Sequence, residues 1–264
     1  MTQIQTDVFS IENEEKQWES IYTLGAVAAL IALTGILLDV IIGNITGGNL
    51  SALPQTAIDR FVQFQENKFL GLYNLDLLNV VNQLIMIPVY FALYAAHRNV
   101  NKSYGLFALI IFLFGSVIMV ANNTALPMYE LSHNYFATSF ESQKAFYAAA
   151  GEAMLARGAH GSSGIFIGFF IPNLAGFIMS IVMLKGRVFS KTNSWLGIIG
   201  SVLMMLYVVL VNFVPGVETM ATAFAMPGGL MLMAWIIIFT IKLFKLRTIL
   251  RLKLSYLSDL QQNN

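Results

Sequence analysis

Cysteine is absent from all 264 residues, which excludes disulfides, thiolate nucleophiles and Cys-based metal sites. Charge is scarce as well: 11% of residues are charged and 57% are hydrophobic, against roughly 25% charged in an ordinary soluble domain. A water-soluble fold has too little polar surface to cover such a composition. Neither sign of charge dominates, with 15 Lys and Arg against 14 Asp and Glu. The cations fall in short clusters at hydrophobic borders and offer no strip for a phosphate backbone, so nucleic acid is not an expected partner. The chain has no nucleophile motif, phosphate-cradling glycine loop or pair of intramembrane acids, and neither a cofactor nor a metal is expected. The first twenty residues, with Glu12, Glu14 and Glu15, are polar and acidic. A secretory signal starts basic and turns apolar at once, so no cleavable signal is expected.

What the chain has in abundance is long apolar runs. A hydrocarbon core of about 30 Å needs roughly 20 apolar residues in helical form, because lipid offers no partner to backbone N–H and C=O groups. Six stretches qualify: Ile21 to Gly43, Leu77 to Ala96, Tyr104 to Ala125, Ile165 to Leu184, Leu196 to Val214, and Thr219 or Met226 to Ile241. The expected fold is an all-α membrane protein, a bundle of about six transmembrane helices with two external helical segments. Residues 1–20 form a polar N-terminus, 21–241 the spans and 242–264 a basic amphipathic tail.

Orientation follows from the cations, which short cytoplasmic loops retain. Arg98 and Lys102 lie between spans two and three, Lys185, Arg187 and Lys191 between four and five, and Lys242, Lys245, Arg247, Arg251 and Lys253 after span six. All fall on one side if both termini are cytoplasmic in a cell membrane. The tail draws about 1 kcal/mol per cation from anionic lipid, and a topology anchor is its simplest reading.

Two longer connections, about residues 44–76 and 126–163, then face outward. Thr138 with Glu141 fits a capping box, and Phe146, Tyr147, Ala150 and Met154 continue an apolar face to Gly158. The segment from Thr56 through Ile58, Phe61, Val62 and Phe69 is similar. Such helices either lie on the outer leaflet or cap the bundle; surface helices are the simpler reading.

An ionisable group in hydrocarbon is expensive unless paired or hydrated, which singles out Asp39 in span one. Span two carries Asp76, Asn79, Gln83 and Tyr90 within roughly 60° of one another, with Asn82 on the flank. Asn122 and Asn123 end span three, and Tyr207 and Asn212 lie toward the end of span five. These groups fall in the outer half and suggest a polar pocket for a small molecule or lipid. The candidate ligand-binding residues are Asp39, Asn79, Asn82, Gln83, Asn122, Asn123, Asn173 and Asn212. Interhelical hydrogen bonding accounts for the same pattern without a ligand. A protein partner of the external helices is the competing expectation, and an intramembrane enzyme using Asp39 with His133 or His160 a weaker third.

Span four repeats Gly164, Gly168, Pro172, Gly176 and Ser180 at every fourth position, a small-residue seam suited to close packing. Pro172, beside Asn173, also permits a kink. Pro227 is read as a first-turn proline of a span starting at Met226, in preference to a break within a longer helix. Glu130 and His133 have the i, i+3 spacing of carboxylate metal sites but lack a second matching element.

The stretch from Leu84 through Pro88, Tyr94 and Arg98, then Leu184-Lys185-Gly186-Arg187, Trp195-Leu196-Gly197, and Pro227 with Leu230 and Trp235, resembles the bacterial membrane proteins grouped as the DUF4386 family. The resemblance implies a multi-pass membrane protein and supplies no catalytic residues.

Overall fold

A computed structural model describes residues 3–45, 53–159 and 162–262. The elements are α1 (Gln3–Ile45), α2 (Ala57–Glu66), α3 (Lys68–Tyr73), α4 (Leu77–His97), α5 (Lys102–Asn122), α6 (Ala125–Ala137), α7 (Glu141–Gly158), α8 (Ser163–Gly186), α9 (Lys191–Phe213) and α10 (Glu218–Gln262). Among the described residues there is no strand. Six apolar stretches, one each in α1, α4, α5, α8, α9 and α10, are long enough to cross a bilayer. Their side chains at Leu24, Ile31, Ile110, Phe114 and Val117 stand exposed, as lipid-facing residues do. The chain is therefore an all-α membrane protein.

The six spans form a closed ring. α1 packs on α4, α4 on α5, α5 on α8, α8 on α9, α9 on α10, and α10 returns to α1. Small residues let the backbones approach where the spans meet. Gly25 abuts Ala92, Gly197 abuts Ser180, and a Cβ added to Gly115 would lie 2.7 Å from Pro172 Cδ. The seam on α8 changes partner along its length. Gly164 and Gly168 meet Asn122 and Met119 of α5, whereas Gly176 meets Ser201 of α9 and Tyr90 of α4.

The loops carrying Arg98, Lys185 and Arg187 gather at one end, hereafter the cationic end. There Arg98 lies 4.4 Å above the Trp18 ring and donates to Tyr22 Oη at 3.0 Å. Arg247 approaches Glu19 at 3.7 Å, which ties the extended parts of α10 and α1 together. His97 is fully buried, with Nδ1 2.8 Å from Leu93 O and its ring stacked on Phe189 at 5.4 Å. The main core fills this half with Leu93, Met179, Met183, Trp235, Phe239 and Leu243. A shallow groove of about 460 Å³ runs along α10 past Phe244, Lys245 and Thr248 and holds no predicted site residue.

At the opposite end α2, α3, α6 and α7 pack on one another as a cap. They enclose a second core of Ala57, Phe61, Phe64, Leu75, Ala125, Met128 and Leu155. Phe61 and Met128 are fully buried, whereas Ile58, Val62, Phe69 and Phe146 stay exposed on the outside of the cap. Thr56 caps α2 by accepting from Asp59 N at 3.2 Å. Glu152 of α7 reaches across to accept from Ala57 N at 2.7 Å. Ser162 caps α8 by accepting from Ile165 N.

Three local expectations change. The Thr138–Glu141 capping box does not form, because α7 begins after Phe140. Thr138 instead accepts from Phe140 N at 3.2 Å, and Glu141 pairs with Lys144 at 2.9 Å. Span three ends at Asn122, where the chain turns through Asn123 and Thr124 into α6. Pro227 is not in a first turn: α10 starts at Glu218 and continues through it unbroken. The ring of Pro227 removes one backbone donor, a cost that neighbouring helices tolerate in a membrane bundle.

Candidate functional site

The cap end of the ring gathers polar groups from several elements. The α3–α4 turn is set by hydrogen bonds from Leu75 N to Leu72 O at 3.3 Å and from Asp76 N to Tyr73 O at 2.9 Å. It leaves Asp76 in the left-handed region at φ 61°, a conformation that Asp tolerates better than most residues. Asp76 Oδ1 accepts from Asn79 Nδ2 at 3.1 Å. From α3, the Tyr73 hydroxyl donates to Asp39 O at 3.0 Å, joining the cap to α1. Burial, and then the Asp39 and Asp76 charges, raise the Tyr73 phenol above its ordinary value, so it is a neutral donor. From α9, Tyr207 lies within electrostatic reach of both Asp76 and Asp39. Asp39, Tyr73, Asp76, Asn79 and Tyr207 are each only part-buried, although Oδ2 of Asp76 is itself buried.

Arg60 of α2 stands over this cluster. Its side chain is 4% exposed, and Nε and Nη1 are buried with no hydrogen-bond partner among the described residues. Burial pulls the guanidinium below its ordinary value, and the Asp76 charge pulls it partly back. A guanidinium is not deprotonated in proteins, so Arg60 is a buried cation.

The other predicted residues divide by what they hold. Gln83 donates to Ser116 Oγ of α5 at 3.1 Å, a bond between two spans. Asn82 is buried against Gly35 of α1, with Nδ2 lacking a partner among the described residues. Asn122 Oδ1 accepts from Arg157 Nε at 3.0 Å, fixing the end of α7 to the end of α5. Asn123 donates to Leu75 O at 2.7 Å and accepts from Ala125 N at 3.1 Å. Asn173 and Asn212 donate to carbonyls of their own helices, Phe169 O at 2.9 Å and Val208 O at 2.7 Å. Asp39 and Asn79 are thus the predicted residues that join the cluster, and Asn122 and Asn123 are fastenings of the cap. His133 is exposed on α6, and His160 lies outside the described residues.

The family described as "Domain of unknown function (DUF4386)" matches residues 22–242. The chain belongs to the DUF4386 family. The match runs from within α1 to within α10, so the cluster and the whole cap of this DUF4386 protein lie inside it. No curated protein and no solved structure matches the chain.

Sequence reasoning missed Arg60 and Tyr73 in this DUF4386 protein. A signal for Arg60 was available, since Ala57, Arg60, Phe61 and Phe64 share the i, i+3, i+4, i+7 stripe that became the buried face of α2. An arginine inside an apolar stripe marks a buried charge. Tyr73 had no comparable mark, because its role depends on a contact made 34 residues away along the chain.

Proposed function

We propose that this DUF4386 protein binds a small molecule or a lipid headgroup at its cap end, and moves it between that end and the membrane. The reading adds an orientation: a cell membrane, with the cationic end and both termini cytoplasmic and the cap outside, as the placement of Lys and Arg favours. The observation that carries the proposal is the convergence of Asp39, Asp76, Tyr73 and Tyr207 from three spans and the cap, all part-buried. A carboxylate inside a membrane-spanning helix, as Asp39 is in α1, is expensive, and function is the usual return.

A specific observation favours a second reading for part of the polar inventory. Gln83, Asn122 and Asn123 hold spans and cap together, as an accessory protein presenting its cap to a partner would require. Asp39→Asn separates the two. Native mass spectrometry of the wild type in lipid nanodiscs is expected to show a retained small molecule or lipid that the variant loses while remaining folded. Equal retention in both proteins, or none in either, would move the assignment to the partner-binding reading.

A further inference from the structure

The charges around Arg60 narrow the ligand class, an inference that rests on the binding reading above. A buried guanidinium with donors left over is costly, because each donor has exchanged water for nothing. Nε and Nη1 of Arg60 are in that state, although Asp76 is near enough to act on the guanidinium. The geometry therefore leaves Arg60 able to receive anionic oxygens, which a guanidinium binds through paired N–H groups. The surroundings do not suit a simple anion, since Asp39 and Asp76 both act on Tyr73 and Tyr207 beneath it. A simple cation would suit the acids but meet Arg60. Only a ligand carrying both signs matches one cation set against two anions.

We infer that the cluster receives a zwitterionic ligand, with Arg60 taking its carboxylate or phosphate oxygens and Asp39 with Asp76 taking its ammonium. Tyr73, whose hydroxyl donates to Asp39 O at 3.0 Å, stands beside the acids. Gln63, one turn beyond Arg60 on α2, supplies a further unsatisfied acceptor, because its buried Oε1 also lacks a partner among the described residues. An ammonium or a hydroxyl of the ligand suits it. Two sources carry this chemistry: a free aminoalkyl acid or phosphate, and the headgroup of an aminophospholipid.

The test measures affinities of the full chain in uncharged maltoside micelles. The probes are phosphoethanolamine, β-alanine, inorganic phosphate, ethylamine, and short-chain phosphatidylethanolamine and phosphatidylglycerol. At least one zwitterion is expected to bind roughly tenfold or more tightly than phosphate, ethylamine and the anionic lipid. Arg60→Gln should lose about tenfold of that affinity, and Arg60→Lys, which keeps the charge but not the fork, should recover part of it. Binding of the free zwitterion as tight as that of the lipid identifies a soluble solute; binding of phosphatidylethanolamine alone identifies a headgroup.

The proposal is overturned if phosphate or ethylamine binds as well as every zwitterion, or if folded Arg60→Gln binds like the wild type. Should Arg60→Gln not fold, the ranking of probes on the wild type decides alone. The underlying site has its own readout in Asp39→Asn. Ethylamine binding that Asp39→Asn abolishes, without any preference for zwitterions, removes the inference and keeps the site. No binding by any probe removes the inference as well, and retention in nanodiscs then judges the site separately.

Discussion

At the cationic end, Leu93, Met183, Phe239 and Leu243 are fully buried against one another, and Trp235 meets the Phe239 ring edge-on at 4.8 Å. At the cap end, the residues of comparable interest, Asp39, Asp76, Tyr73 and Tyr207, keep part of their surface open. The same six spans run through both regions, but α2, α3, α6 and α7 are added at the cap end alone. Glycines and alanines bring the backbones together below, and aromatic and sulfur-bearing side chains fill what remains. Above, acids and phenols from α1, α3, α9 and the α3–α4 turn come together beside a separate cap core. One half is thus built for cohesion and the other retains chemistry.

That contrast is broken or sharpened by substitutions that act on one half only. Phe239→Ala should have the largest effect on stability, about 2–4 kcal/mol, because lipid cannot enter the void left between packed spans. Steric-trap unfolding measures it, and ligand retention should be unaffected. A loss of retention as large as that in Asp39→Asn would show that the halves are not independent. Asn123→Ala comes next, at about 1–2 kcal/mol, since it removes both the clamp on Leu75 O and the bond to Ala125 N. Its signature is local: faster amide exchange in α6 and in the α3–α4 turn, with the Phe239 region unchanged. Gln83→Leu is smallest, about 0.6 kcal/mol, the usual worth of a hydrogen bond between membrane helices. A much larger cost would mark Gln83 as part of a wider polar network than its bond to Ser116 shows.

The spans were legible because hydrocarbon imposes a length and an apolarity that few other structures demand. The sites of the cations were equally plain, and the structure gathers the loops between spans at one end. Two things were hidden. The cap was visible as amphipathic helices, but α6 has a serine, Ser132, on its buried face, where it donates to Phe61 O at 2.9 Å. Such a polar residue weakens the apolar period that would have revealed the helix. The cluster was visible only in part, because Asp39 and Asn79 announce themselves by being polar in apolar runs. Arg60 lies in an ordinary-looking segment between spans, and only the packing of α2 shows that its charge is buried. Asn122 and Asn123 carried the same polar signal as Asp39 and turned out to bind the chain to itself.

The ring has a further consequence for how the protein is made. Each of its other principal contacts joins spans that follow one another along the chain, whereas α1 and α10 are the first and the last of the described helices. A ribosome therefore delivers a growing, open crescent whose final seam waits for the last helix to arrive. Until then the faces of α1 and α9 that α10 will cover are left to lipid or to whatever guides insertion. Ring closure and the pairing of Glu19 with Arg247 become a single late event, so shortening α10 would leave every earlier neighbour in place and the ring unclosed.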